Sequence, residues 1–398
     1  MTYPALTRRI CAAAVLAVAT AGAASAQTES RPPPLPIEPI GIVETLPQQY
    51  PESWFLLHDA AFFHMSDGKV IVVDTAQDTV AEQIQGTFNV SLIGNILQSS
   101  ERGEIYATET FHSRGTRGER RDYLTIWDQK TLSPVGEVFL PGKKRFMGMP
   151  GREALLLLNK GKWLAVANFS PASSATIIDL DTREIISEVA TPGCTFVYPT
   201  ATRGFSALCA DGRFLSTTLK ADGSIDKQVR TASFFSSDDN PIFERPAVMG
   251  DRAWFPSIDG MVWPVDFSGA QAKVGEAWNL VPETERAEGW APGGIGIIDE
   301  DDLGRFYVLM HPDAKDGSQN GGGSEVWVYD PKKKSRVLRI PLQEWGLSIA
   351  VSRGKQPKLL VTNPVTMAVE LYDGQSGDYL KTLTGLGQET PLMLYGAK

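Results

Sequence analysis

Apolar and polar residues alternate along most of this chain, and the alternating runs come in pairs. A run rich in β-branched and aromatic residues ends on an acidic turn and is followed by a second alternating run. This unit occurs as Lys69–Asp74, as Tyr123–Asp128 with Thr131–Leu140, and as Ala175–Asp179 with Arg183–Val189. It recurs less regularly as Gly212–Leu219 with the turn Ala221–Ser224, then as Gly260–Asp266. The last two are Glu325–Asp330 with Ser335–Ile340, and Ala368–Asp373 with Asp378–Leu383. A period of two predicts strands with one apolar face each. Seven occurrences at a mean spacing of about 50 residues match the repeat of propeller blades, whose radial stacking buries faces that a lone sheet would leave wet. The Asp closing most first runs is placed to accept N–H groups of the turn. The chain is therefore predicted to be all-β, a seven-bladed β-propeller over residues 51–398. Helical signals are scarce, and the best is Pro282–Glu288.

The first 50 residues do not follow the pattern. Arg8 and Arg9 precede the apolar run Ile10–Ala23, and Ala24-Ser25-Ala26 has the small-residue form of a cleavage site. Together these describe a secretory signal peptide over residues 1–26, with a weak twin-arginine character. Residues 27–50 are polar and Pro-rich and read as an N-terminal arm. No later apolar run is long enough to span a bilayer. The expected product is exported and, in a bacterium, periplasmic.

Composition is that of an ordinary soluble protein, with 42% hydrophobic and 21% charged residues. Net charge is −9, and it falls to −11 once Arg8 and Arg9 leave with the signal. That acidity argues against nucleic acid as a partner, which calls for clustered cations. The only dense basic run, Lys332-Lys333-Lys334, falls in a predicted strand-to-strand turn and reads as a solvated tip. Cys194 and Cys209 remain after processing, in a strand–turn–strand context. In an oxidising compartment they most simply form one disulfide across a hairpin; metal binding would need further ligands that the surroundings do not offer.

A catalytic apparatus is hard to find. The four His residues form no zinc-type pair, and no nucleophile elbow, P-loop or dinucleotide fingerprint occurs. His112-Ser113 near Asp122 reads as a polar loop between blades rather than a triad fragment. The densest acidic run, Asp299–Asp302, reads as an exposed turn. Gly293–Gly296 and Gly321–Gly323 read as turn glycines. Phe62 and Phe63, judged on composition alone, read as blade core. No catalytic residue and no metal ligand is expected on this chain.

Several longer stretches resemble the heavy subunit of the quinoprotein amine dehydrogenases, the methylamine and aromatic amine dehydrogenase family. They are Ser113–Tyr123, Arg286–Gly294, Tyr307–Pro312 with Ser324–Asp330, and the two cysteine strands. His311–Ser318 leans toward the aromatic amine branch. The resemblance implies a seven-bladed propeller paired with a small, disulfide-rich light subunit in an α2β2 heterotetramer. The light subunit would carry tryptophan tryptophylquinone and the proton-abstracting base, leaving the nine Trp of this chain structural. It implies oxidative deamination of a primary amine to aldehyde and ammonia, with electrons passing to an azurin-like or amicyanin-like cupredoxin. It also places a phenylalanine of the first blade at the substrate channel: Phe63 aligns best, with Phe62 one register away. Strand alternation lets only one of the two face the channel. Two readings compete with this one: a free-standing propeller hydrolase or lactonase with a metal in its central channel, and a periplasmic interaction platform.

Overall fold

The computed structural model describes residues 45–61, 67–91 and 93–397. These residues form seven antiparallel sheets, six of them with their strands in sequence order from the inside outward, so the fold is a seven-bladed β-propeller. The predicted runs are the third strands of the blades: Gly68–Asp74, Arg117–Asp128, Ser174–Asp179, Phe214–Leu219, Met261–Asp266, Gly323–Asp330 and Ala368–Asp373. The expected short helix is present as Glu283–Ala287. Among the described residues no helix is long and apolar enough to cross a membrane.

Blade 1 is made from both ends of the chain. Its outer strands are Trp54–Ala60, Gly68–Asp74 and Ile84–Val90, and its innermost strand is Pro391–Gly396. The Trp54–Ala60 strand pairs with both neighbours, Leu57 lying opposite Ile71 on one side and Leu394 on the other. The joint is fastened by Asp59, whose buried carboxylate accepts the N–H groups of Gln388 and Glu389 just before the last strand.

Apolar residues between blades form the core, as the alternation requires. Tyr106, Leu124, Ile126 and Val138 of blade 2 pack with Leu155, Leu164 and Ile178 of blade 3. Phe205 and Leu219 of blade 4 pack with Ala165, Ile177 and Val189 of blade 3. The largest aromatic cluster lies between blades 4 and 5, where Tyr198, Phe214, Phe255 and Phe267 meet with ring centroids 5.2–6.4 Å apart.

The turn aspartates act as the sequence suggests. The N–H groups of Lys130 and Thr131 donate to Asp128, those of Asp181 and Thr182 to Asp179, and those of Gln375 and Ser376 to Asp373. Asp74, Asp266 and Asp330 receive the equivalent bonds. These turns join third to fourth strands, so all lie on one face of the disc. Lys332, Lys333 and Lys334 sit in one of them and are exposed.

Candidate functional site at the loop-rich face

The opposite face carries the longer connections, from second to third strands and from each blade to the next. Every stretch that carries the family resemblance ends there. Trp54–Ala60 runs up to it, and the Ser113–Tyr123 segment is the tip of a hairpin built by Glu104–Arg114 and Arg117–Asp128. The Arg286–Gly294 segment is the excursion into blade 6, and His311 ends the strand Phe306–His311. Cys194 and Cys209 are directly opposed in register on neighbouring strands of blade 4 and form the expected disulfide.

A cavity of about 480 Å³ opens in this face. It is lined by loops of blades 3 to 6, including Phe169, Phe243, Arg245, Ile295 and Gln319. The Trp290 excursion beside it is held by stacked charges. The Arg339 guanidinium lies 4.9 Å from the Trp290 ring centroid and 4.8 Å from that of Trp327, and Arg336 lies 4.2 Å from Trp327. Glu285 accepts from both guanidiniums, at 2.9 Å from Arg336 and 3.0 Å from Arg339, which ties the short helix to the outer strand of blade 6. Cation–π stacks of this kind, tied by ion pairs, hold an excursion in one position.

Phe62 and Phe63, the expected channel residues, lie outside the described residues. The strand leading to them ends at Ala60, and two residues before that end stands His58. Its imidazole is fully buried, neither ring nitrogen has a partner among the described residues, and burial lowers its pKa to about 4. A Cβ on Gly68, the residue paired with Ala60, would come within 2.9 Å of its Nε2, so a larger residue there would press on the imidazole.

The central channel holds a charged cluster that the sequence did not reveal. Arg152 donates to both carboxylate oxygens of Asp299, at 2.8 and 3.2 Å, and to the carbonyl of Leu394 at 3.1 Å. Arg353 donates to Asp299 at 3.2 Å and to Glu300, and the N–H of Val351 reaches Asp299 at 2.7 Å. Burial alone would raise the Asp299 carboxyl, but the two guanidiniums outweigh it and hold the group below the usual carboxylate range. Burial pushes Glu153 and Glu300 the other way. The acidic run is thus not an exposed turn. Asp299 is 1% and Asp301 2% exposed, and Asp301 accepts bonds from Arg305 and from the Tyr307 hydroxyl. Its partners lie up to 147 residues away, which is why local pattern missed them. His112 likewise belongs to a strand inside blade 2 and not to a loop between blades. Nearby Asp122 is engaged by Thr110 and Arg120. Among the described residues, no group of three His, Cys, Asp or Glu side chains is arranged to hold a metal ion.

Comparison with known proteins adds a lineage to this geometry. The methylamine dehydrogenase heavy chain (MADH) family model matches residues 54–395, from the first strand of blade 1 to its last. The chain is 26% identical to the methylamine dehydrogenase heavy chain of Methylorubrum extorquens over 331 residues, covering 82% of this chain and 77% of that one. It is 24% identical to the heavy chain of Methylophilus methylotrophus, covering 85% of this chain and 82% of that one. Among solved structures, dihydro-heme d1 dehydrogenase NirN has a TM-score of 0.53 at 16% identity, covering 89% of this chain and 68% of that one. A putative 6-phosphogluconolactonase from Bacteroides fragilis has a TM-score of 0.56 at 14% identity, covering 86% and 98%. These two likenesses show the fold alone.

Proposed function

The chain belongs to the methylamine dehydrogenase heavy-chain family, and from that premise we propose that it is the large subunit of an exported, periplasmic amine dehydrogenase favouring aromatic amines. The observation that carries the reading is the unbroken family match across all seven blades, residues 54–395. It gains support from the convergence on one face of every stretch that resembles the family.

In this reading residues 1–26 direct export, residues 27–50 form an arm, and two propellers assemble with two small disulfide-rich light subunits. The light subunit carries tryptophan tryptophylquinone, which takes up the electrons of the amine and passes them on singly to a cupredoxin. This chain contributes the wall of the substrate passage. Phe63, with Phe62 as the alternative, presents an apolar ring that selects the amine by shape and excludes water from the partner's reacting centre. Aldehyde and ammonia leave as products.

The test is purification of the tagged full-length chain from a host that also produces the small subunit. The expected result is a cysteine-rich, quinone-absorbing chain in equal amount, with dye reduction that depends on amine and is faster for aryl amines than for methylamine. Activity from the propeller alone, abolished by a chelator, would overturn the reading in favour of a metal-dependent hydrolase.

A further inference from the structure

The hairpin of blade 2 outgrows its neighbour. Its strands Glu104–Arg114 and Arg117–Asp128 are 11 and 12 residues long, where the matching strands of blade 1 have 7 each. Low on this hairpin, the face turned to blade 1 is covered. Ile105 and Ala107 are fully buried with Val70, Phe88 and Val90 of blade 1, and the Trp127 ring lies 4.9 Å from that of Phe88. Strand side chains alternate, so the same face continues upward through Phe111 and Tyr123 and across to Phe139, which is paired directly with Tyr123. The three rings form a row, with centroids 6.1 and 5.5 Å apart. Among the described residues nothing of blade 1 covers them, and Phe111 is 46% and Phe139 51% exposed. Among the described residues the overhang is an inter-blade surface without its second blade.

Its rim is basic, although the chain as a whole carries −9. Residues 111–123 and 139–144 hold six basic side chains against two acidic ones. Arg120 is taken up by Asp122, Arg121 by Glu119 and Lys144 by Glu188. Arg114, Arg117 and Lys143 are exposed and pair with no carboxylate among the described residues. A second copy docking through the same patch by two-fold symmetry would set this basic rim against itself. An exposed aromatic row inside an unneutralised cationic rim calls for a different chain with an apolar centre and an acidic border.

We infer that the overhang formed by Phe111, Tyr123 and Phe139, rimmed by Arg114, Arg117 and Lys143, seats the small cofactor-bearing subunit through an apolar, acid-bordered surface. The inference rests on the subunit reading above. It places the partner over the end of the strand Trp54–Ala60.

The tagged full-length chain, co-produced with its small subunit, provides the test. Wild type should recover the quinone-absorbing chain, identified by mass, and a Phe111→Ser/Phe139→Ser variant should bind it about tenfold more weakly or worse, as for anchor residues of an interface. An Arg114→Glu/Arg117→Glu variant should also bind more weakly and lose the salt dependence of the wild type. The thermal midpoint of the isolated propeller should not move in either, because all four side chains are exposed. Recovery equal to wild type in both variants overturns the inference while leaving the subunit reading intact. So does light scattering that shows a propeller dimer dispersed by the Phe variant, which would assign the patch to a second copy. If wild type itself recovers no quinone-bearing chain, both readings fall.

Discussion

The carboxylate of Asp59 accepts the N–H of Gln388 at 2.7 Å, joining positions 329 residues apart at the seam of the ring. The Glu389 N–H donates to the same carboxylate. In Asp59→Ala these part-buried donors lose their acceptor, at about 1 kcal/mol each. Thermal unfolding should show a midpoint several degrees lower, and Asp59→Asn should recover part of the loss. A midpoint within a degree of wild type for the Ala variant would mean that the seam is held elsewhere.

The Cys194–Cys209 bond spans 15 residues and ties two directly opposed strands. Replacing both cysteines by Ser should lower stability by about 3 kcal/mol through restored freedom of the unfolded chain. Denaturant unfolding measures this, and non-reducing mass spectrometry of wild type should show no free thiol. The fold and any partner binding should persist.

His58 makes stability depend on pH. Its folded pKa is about 4, below the roughly 6.5 of a free imidazole. The unfolded chain therefore takes up a proton in this window that the folded chain refuses. Stability is complete above about pH 6.5 and is lost as pH falls toward 4, by about 3 kcal/mol for this group. Because neither ring nitrogen has a partner among the described residues, His58→Leu should fold and should flatten that slope. An unchanged slope between pH 6.5 and 4 in the variant would remove His58 as its source.

Arg152 and Asp299 bind each other in the channel, with Asp299 almost fully buried. Arg152→Ala leaves a buried carboxylate half-compensated by Arg353, and a loss of about 3 kcal/mol is expected. The double variant Arg152→Met/Asp299→Leu should lose less than the two single losses combined. Strict additivity in denaturant unfolding would show that the pair is not coupled.

Phe63→Ala should change which amines are preferred and leave assembly intact. The measurement is relative kcat/KM over a series of alkyl and aryl amines with the assembled enzyme. An apolar ring acting by shape is expected to shift the ratios about tenfold. Identical ratios would count against a channel role for Phe63.

Much of the fold was legible in local pattern because a blade is a local object. The paired runs, the Asp turns and the spacing all lie within about 50 residues of one another. The Cys194–Cys209 bond was readable for the same reason. The Asp299 cluster was not, since Arg152, Val351 and Leu394 reach it only after the ring closes. From its neighbours alone, Asp299-Glu300-Asp301-Asp302 is indistinguishable from a solvated turn. Phe111 and Phe139 look like ordinary strand aromatics in sequence. What leaves them uncovered among the described residues is that the strands of blade 2 outrun those of blade 1.

The last strand, Pro391–Gly396, is the inner partner of the first, Trp54–Ala60. Synthesis therefore cannot finish blade 1 until residues 391–396 have been made. During that interval the first three strands present an unpaired edge, the kind of surface that aggregates unless it is protected. A product that stops before Pro391 would keep six whole blades and still be an open ring. The strand Pro391–Gly396 thus acts as a check on synthesis: the ring closes only on chains that reach it.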